Sequence, residues 1–146
     1  MRARTALAAS LVLVAGVGSL SPALAGGKKS VTKSYTATAS TPGLTNAALG
    51  VCEGTVPGSN FDQPFKAPFA GRLTVDLNGF TGDWDMALVE DGTNTAESAQ
   101  DPTKQPDPQT PEHIDGYKLK KGEEVVIRTC NFSGGPTANV TYTFKG

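Results

Sequence analysis

Histidine is almost missing from this chain of 146 residues, in which His113 stands alone. Cysteine is nearly as scarce: Cys52 and Cys130 are the only two, and no C-x-x-C spacing occurs. These shortages bear on chemistry first. A zinc site takes three or four His, Cys or acidic ligands, and one His beside two cysteines expected to pair leaves too few. A Ser–His–acid triad would have to use His113, and no Gly-x-Ser-x-Gly elbow supplies its nucleophile. His113 ends a polar stretch and is read as solvent-exposed. Redox chemistry through the cysteines lacks its motif as well. The basic residues are scattered, without the clustered face that phosphate binding requires, so nucleic acid is not an expected partner. Long apolar runs are also lacking. The single candidate, residues 6–20, is shorter than the roughly 20 residues a membrane-spanning helix needs.

That run has a different use. Arg2 and Arg4 precede it, and Ala23-Leu24-Ala25 follows as a small-x-small cleavage site. Residues 1–25 therefore read as a signal peptide and residues 26–146 as one mature domain, exported to the extracellular medium without a membrane span. Of 13 basic residues two leave with the leader, against 14 acidic, so the mature chain is mildly acidic. A monomer is expected. In an exported chain an even cysteine count favours one disulfide, Cys52–Cys130, over two free thiols. Closing so long a loop stabilises by roughly 4–5 kcal/mol in the chain-entropy account, and a structural staple is the expected role.

The remaining pattern is one of short strands. Residues 31–40 are rich in Thr, Val and Tyr, with Lys33 interrupting the Val31–Tyr35–Ala37 face. A turn at Thr41-Pro42-Gly43 follows, then a short helical turn or loop over residues 44–50. Residues 51–56 read as a strand carrying Cys52. Residues 61–69 hold Phe61, Phe65 and Phe69 with Pro64 and Pro68 between them. The prolines exclude a helix, and an edge strand whose rings cover a core is expected. Leu73, Val75 and Leu77 alternate with Thr74, Asp76 and Asn78, the mark of a half-buried antiparallel strand. In the next strand Trp84, Met86 and Leu88 face one way and Ala87 and Val89 the other, so it is expected to be central and buried on both faces. Asp91-Gly92 closes it.

Residues 93–112, with Pro102, Pro106, Pro108 and Pro111, read as a long loop. Strands are then expected over residues 113–120, 124–131 and 139–144, separated by turns at Lys121-Gly122 and Ser133-Gly134-Gly135. Seven or eight short strands and no long helix predict an all-β fold, an antiparallel β-sandwich that is jelly-roll-like.

One charge feature stands out. From Asp76 to Asp115 there are ten acidic residues against the single basic Lys104. One reading is a calcium site, with Asp83, Asp85, Asp91 and Asn94 as donors and Glu90 in reach, since Ca²⁺ takes 6–8 oxygen ligands. The spacing after Asp83-Trp84-Asp85 is not that of an EF-hand loop. The other reading is a solvated acidic loop, with Asp85 accepting backbone N–H bonds in the Gly82 turn. A carboxylate pair such as Asp83 with Glu112 suits glycoside hydrolysis only at a working separation. Most of the rings are expected in the core, Trp84 among them, with Phe132 the better candidate for exposure.

From Phe61 onward the order of motifs resembles the bacterial pre-peptidase C-terminal domain family. The matching pieces are Gly71-Arg72-Leu73-Thr74-Val75 and Gly82-Asp83-Trp84-Asp85-Met86. Later come Lys121-Gly122-Glu123-Glu124-Val125, Asn131-Phe132-Ser133-Gly134-Gly135 and Val140-Thr141-Tyr142-Thr143-Phe144. The Gly-x-Tyr that usually opens the family's penultimate strand is absent here. The resemblance implies a secreted β-sandwich module of the kind attached to hydrolases, which assists export, folding or substrate attachment. Some relatives bind calcium or matrix polymers. Two functions therefore stay open. One is a non-catalytic module that binds an extracellular polymer or protein. The other is a small secreted hydrolase or protease inhibitor acting through residues 93–112.

Overall fold

The computed structural model describes residues 27–40, 50–53, 56–99 and 111–146. The expected signal peptide, the turn expected at Thr41-Pro42-Gly43, nearly all of residues 44–50 and the proline-rich residues 100–110 lie outside them. Eight strands run in order: β1 Ser30–Thr38, β2 Asn60–Lys66, β3 Gly71–Asn78, β4 Gly82–Glu90, β5 Thr93–Ser98, β6 Glu112–Leu119, β7 Glu124–Gly134 and β8 Thr137–Lys145. They form two antiparallel four-stranded sheets, one ordered β1-β8-β3-β6 and the other β2-β7-β4-β5.

The pairing has a simple origin. β4 pairs with β5, β3 with β6, β2 with β7 and β1 with β8. The chain is one long hairpin whose two arms stay paired while the ribbon rolls into two sheets, the jelly-roll arrangement. The hairpin tip is Asp91-Gly92, both left-handed at φ 48° and 81°, between the paired Glu90 and Thr93. A two-residue turn with both φ positive twists with the flanking strands, and Asp-Gly suits it.

Burial follows the alternation. Leu73, Val75 and Leu77 of β3 are fully buried between the sheets, as are Trp84, Met86 and Leu88 of β4. They meet Ile127, Val140 and Phe144, with Phe65 ringed by Tyr142 and Phe144 at 5.3 Å. β4 is buried on both faces, as its sequence predicts. Its outer face carries Ala87 and Val89, which form a second small cluster with the Cys52–Cys130 disulfide (Cα–Cα 5.6 Å). β2 is an edge strand, and its phenylalanines turn inward, again as expected.

Two expectations need correcting. Cys52 lies in a turn at φ 56° and belongs to no strand. The segment around it is held onto the back of the second sheet by the disulfide and by Asn94, whose Nδ2 donates to the Val51 carbonyl at 2.6 Å. Residues 93–98 are not loop but β5. Their weak apolar content misled because only Ala96 turns inward to the core. Lys33 keeps its place in the β1 alternation but remains exposed. A charge on the inward-turned side of an edge strand obstructs docking of another strand.

Candidate functional site

The four candidate calcium ligands do not converge. Asp83 and Asp91 stand at opposite ends of β4, eight residues apart, which is about 26 Å at roughly 3.3 Å per residue. Asp85 and Asn94 fall between. Asn94 is already committed, donating to Val51 and to Glu97 Oε1 at 2.9 Å. Asp91 is a turn residue. One Ca²⁺ therefore cannot draw ligands from all of Asp83, Asp85, Asp91 and Asn94. Among the described residues no three His, Cys, Asp or Glu side chains are grouped so as to hold a metal ion.

Asp85 differs from the other three. It is 6% exposed, opposite Cys130 on the outer face of the second sheet. Burial, with the nearby charges of Asp83 and Glu112 adding to it, pushes its carboxyl up to about 8. At neutral pH it is mostly the neutral acid. The Gly82 turn beside it is made by glycine contact. Gly82 (φ 88°) packs on Gly134 (φ 108°), and a Cβ on Gly82 would lie 2.1 Å from the Ser133 carbonyl oxygen.

Glu112 is 2% exposed and accepts a hydrogen bond from Ser98 Oγ, which in turn accepts from the His113 N–H at 3.0 Å. This clamp joins the end of β5 to the start of β6, across the two sheets, at the base of the segment between them. His113 is half exposed, as expected, and its Nδ1 lies 2.6 Å from Asp76 Oδ1. Trp84 is buried and donates its Nε1–H to the Gly135 carbonyl at 3.1 Å. Phe132 is not an exposed ring. It occupies a bulge of β7, between the pairs Trp84–Asn131 and Asp83–Ser133, and packs on the disulfide cluster.

A different surface is ordered. The outer face of the β1-β8-β3-β6 sheet carries hydroxyls and amides in register. Thr32 Oγ1 and Thr143 Oγ1 are 3.1 Å apart, Ser34 Oγ and Thr141 Oγ1 2.8 Å, and Thr36 Oγ1 donates to Asn139 Oδ1 at 3.5 Å. On β3, Thr74 pairs with Thr143, Asp76 with Thr141 and Asn78 with Asn139. Thr74 Oγ1 donates to Asp115 Oδ1 at 3.1 Å. The three rows are spaced by two residues, about 6–7 Å along the strands, with strands about 4.8 Å apart. Beyond them the register sets Arg72 opposite both Lys145 and Lys118. Three basic residues far apart in the chain are thus gathered on one face. Sequence reasoning missed this face, although the every-second-residue Thr/Ser/Asn of residues 32–36 and 139–143 is a signal for it.

The sequence matches no family model and no curated protein. Among the described residues no helix is long and apolar enough to cross a membrane.

Proposed function

We propose that the chain is a non-catalytic exported module, similar to the pre-peptidase C-terminal domains, that attaches to an extracellular polymer or protein through the outer face of its β1-β8-β3-β6 sheet. The observation that carries this reading is the register of that face: three rows of Thr, Ser, Asn and Asp side chains with no large apolar side chain among them. Hydroxyl and amide groups both donate and accept, which suits a partner with repeating polar groups. The motif order from Phe61 onward, the leader pattern and a disulfide suited to an oxidising compartment support the same reading.

The test is co-sedimentation with insoluble extracellular polymers, comparing the native chain with Ser34→Ile/Thr141→Ile, which removes both hydroxyls without adding charge. Both positions are exposed or partly so on that face. Binding lost at unchanged melting temperature supports the reading. Binding that survives the blocked face overturns it. Addition of a chelator is expected to leave binding unchanged, since the four candidate ligands do not gather.

Protease inhibition by the segment between β5 and β6 is a second reading, favoured by the Ser98–Glu112–His113 clamp at its base. It requires slow, concentration-dependent loss of protease activity on mixing, and its absence across serine and cysteine proteases would remove that reading.

A further inference from the structure

We infer that the partner is an anionic polysaccharide, and that Lys145, Arg72 and Lys118 bind its charged groups. The inference rests on the attachment reading above. The three residues come from β8, β3 and β6 and stand side by side, because Arg72 is the register partner of each of the others. All three are exposed on the same face. Side chains so placed are roughly 5 Å apart at Cβ, and like charges directly opposite are destabilising. Among the described residues no ion pair joins Lys28, Arg72, Lys118 or Lys145 to a carboxylate.

Two carboxylates, Asp115 and Glu123, lie beside the row. Asp115 accepts from Thr74, and Glu123 accepts from the Lys120 N–H at 2.7 Å and pairs with its Nζ at 3.3 Å. Arg72 is held in position by its own bond, Nη1–H to the Gly116 carbonyl at 2.8 Å. Lys28, Arg72, Lys118, Lys120 and Lys145 outnumber these two carboxylates there, which leaves a net positive surface complementary to negative charge.

The shape and surroundings narrow the class. The row borders an open hollow of about 1150 Å³ that Lys28 and Lys120 also line, which is too broad for one small anion and suits a length of polymer. Directly behind the row lie Thr74, Thr143 and Thr32, then Thr141 and Ser34, groups that match sugar hydroxyls. A single-stranded nucleic acid would call for aromatic stacking platforms. An anionic bilayer would call for apolar side chains that enter it. Neither is found on this face: the exposed large hydrophobic among the described residues is Val56, next to the disulfide segment on the other sheet.

The experiment is affinity electrophoresis of the native chain in gels containing polyuronate, a sulfated polysaccharide, or neutral dextran, with duplex DNA and anionic phospholipid vesicles as separate arms. Retardation is expected with the charged polysaccharides and not with dextran, weakening at least tenfold between 50 and 300 mM NaCl. Arg72→Gln/Lys118→Gln is expected to reduce affinity at least tenfold at unchanged melting temperature. The exposed control Lys33→Gln, off this face, is expected to change it less than twofold. Affinity within twofold of native in the double variant overturns the inference. So does tighter binding to DNA or to vesicles than to either charged polysaccharide. Retention by neutral dextran, lost in Ser34→Ile/Thr141→Ile, overturns the ligand class but leaves the attachment reading standing. Absence of binding to every probe and every extracellular polymer overturns both.

Discussion

Asp85 is the residue whose chemistry departs furthest from its type. The folded chain holds its proton up to about pH 8, whereas the ordinary value is 3.8. The folded state therefore binds this proton more tightly than the unfolded state. The resulting stability is fully present below about pH 4 and is lost as pH rises through 8. Urea denaturation is expected to give a lower unfolding free energy at pH 8.5 than at pH 5, by a few kcal/mol at most. Asp85→Asn is expected to flatten that dependence and to be at least as stable as the native chain at pH 8.5. A profile unchanged in Asp85→Asn would mean that the carboxyl is charged in the fold. Asp62 works in the opposite sense. The hydrogen bonds from Arg128 at 2.7 and 2.8 Å hold its carboxyl below the usual range, so its contribution is lost on acidification.

Gly82 and Gly134 make a second prediction at this scale. Each takes a left-handed φ, and each would drive a Cβ into the other strand's backbone. Gly82→Ala is expected to cost roughly 2–4 kcal/mol, read as a fall in urea midpoint. The same substitution at Gly122 (φ 87°), which faces open space, carries the φ strain without the clash and is expected to cost about 1–2 kcal/mol.

At the scale of elements, the disulfide segment is the informative case. Cys52 reaches β7 from outside the sheets and closes a 78-residue loop. Beneath it Ala87 and Val89 would otherwise leave apolar surface on the outer face of β4. Cys52→Ser/Cys130→Ser is expected to lower stability by about 2–5 kcal/mol, and the native chain under reductant should match the variant. Hydrogen exchange should rise first in the segment around Cys52 and along the outer face of β4, while β3 and β8 stay protected.

The elements also show where pattern reading works. β3 was legible because its alternation is strict, β7 because it is rich in β-branched residues, and β4 because it is apolar on both sides. β5 was not, because T-N-T-A-E-S gives one apolar residue in six and its strand state comes from pairing with β4. The segment at 51–56 failed for the opposite reason. Val51 is covered by contact at the disulfide and Val56 is exposed, and neither belongs to a ladder.

At the scale of the molecule, the rolled hairpin makes most contacts long in sequence. β1 pairs with β8 across more than a hundred residues, for example Ser30 with Lys145. Such topologies fold slowly, in milliseconds to seconds, because loop closure precedes any reward. With one buried tryptophan between the sheets, Trp84 emission is expected to report the global transition. Its unfolding curve should coincide with that from far-UV circular dichroism, as for a single cooperative domain. Separate midpoints would show that the two sheets come apart independently.

The sequence by itself determined the fold class, the disulfide partners, the core faces of β3 and β4, and the Asp91-Gly92 turn. Each of these is local: a period of two, a count of cysteines, a pair of residues that tolerate positive φ. The tertiary structure alone decided which polar residues meet. It kept Asp83, Asp85, Asp91 and Asn94 from forming one cluster, because an extended strand carries its residues apart. It brought Arg72, Lys118 and Lys145 together, because the rolled hairpin sets three distant strands in register. Charge neighbourhood depends on pairing across the chain, and no window of sequence contains it.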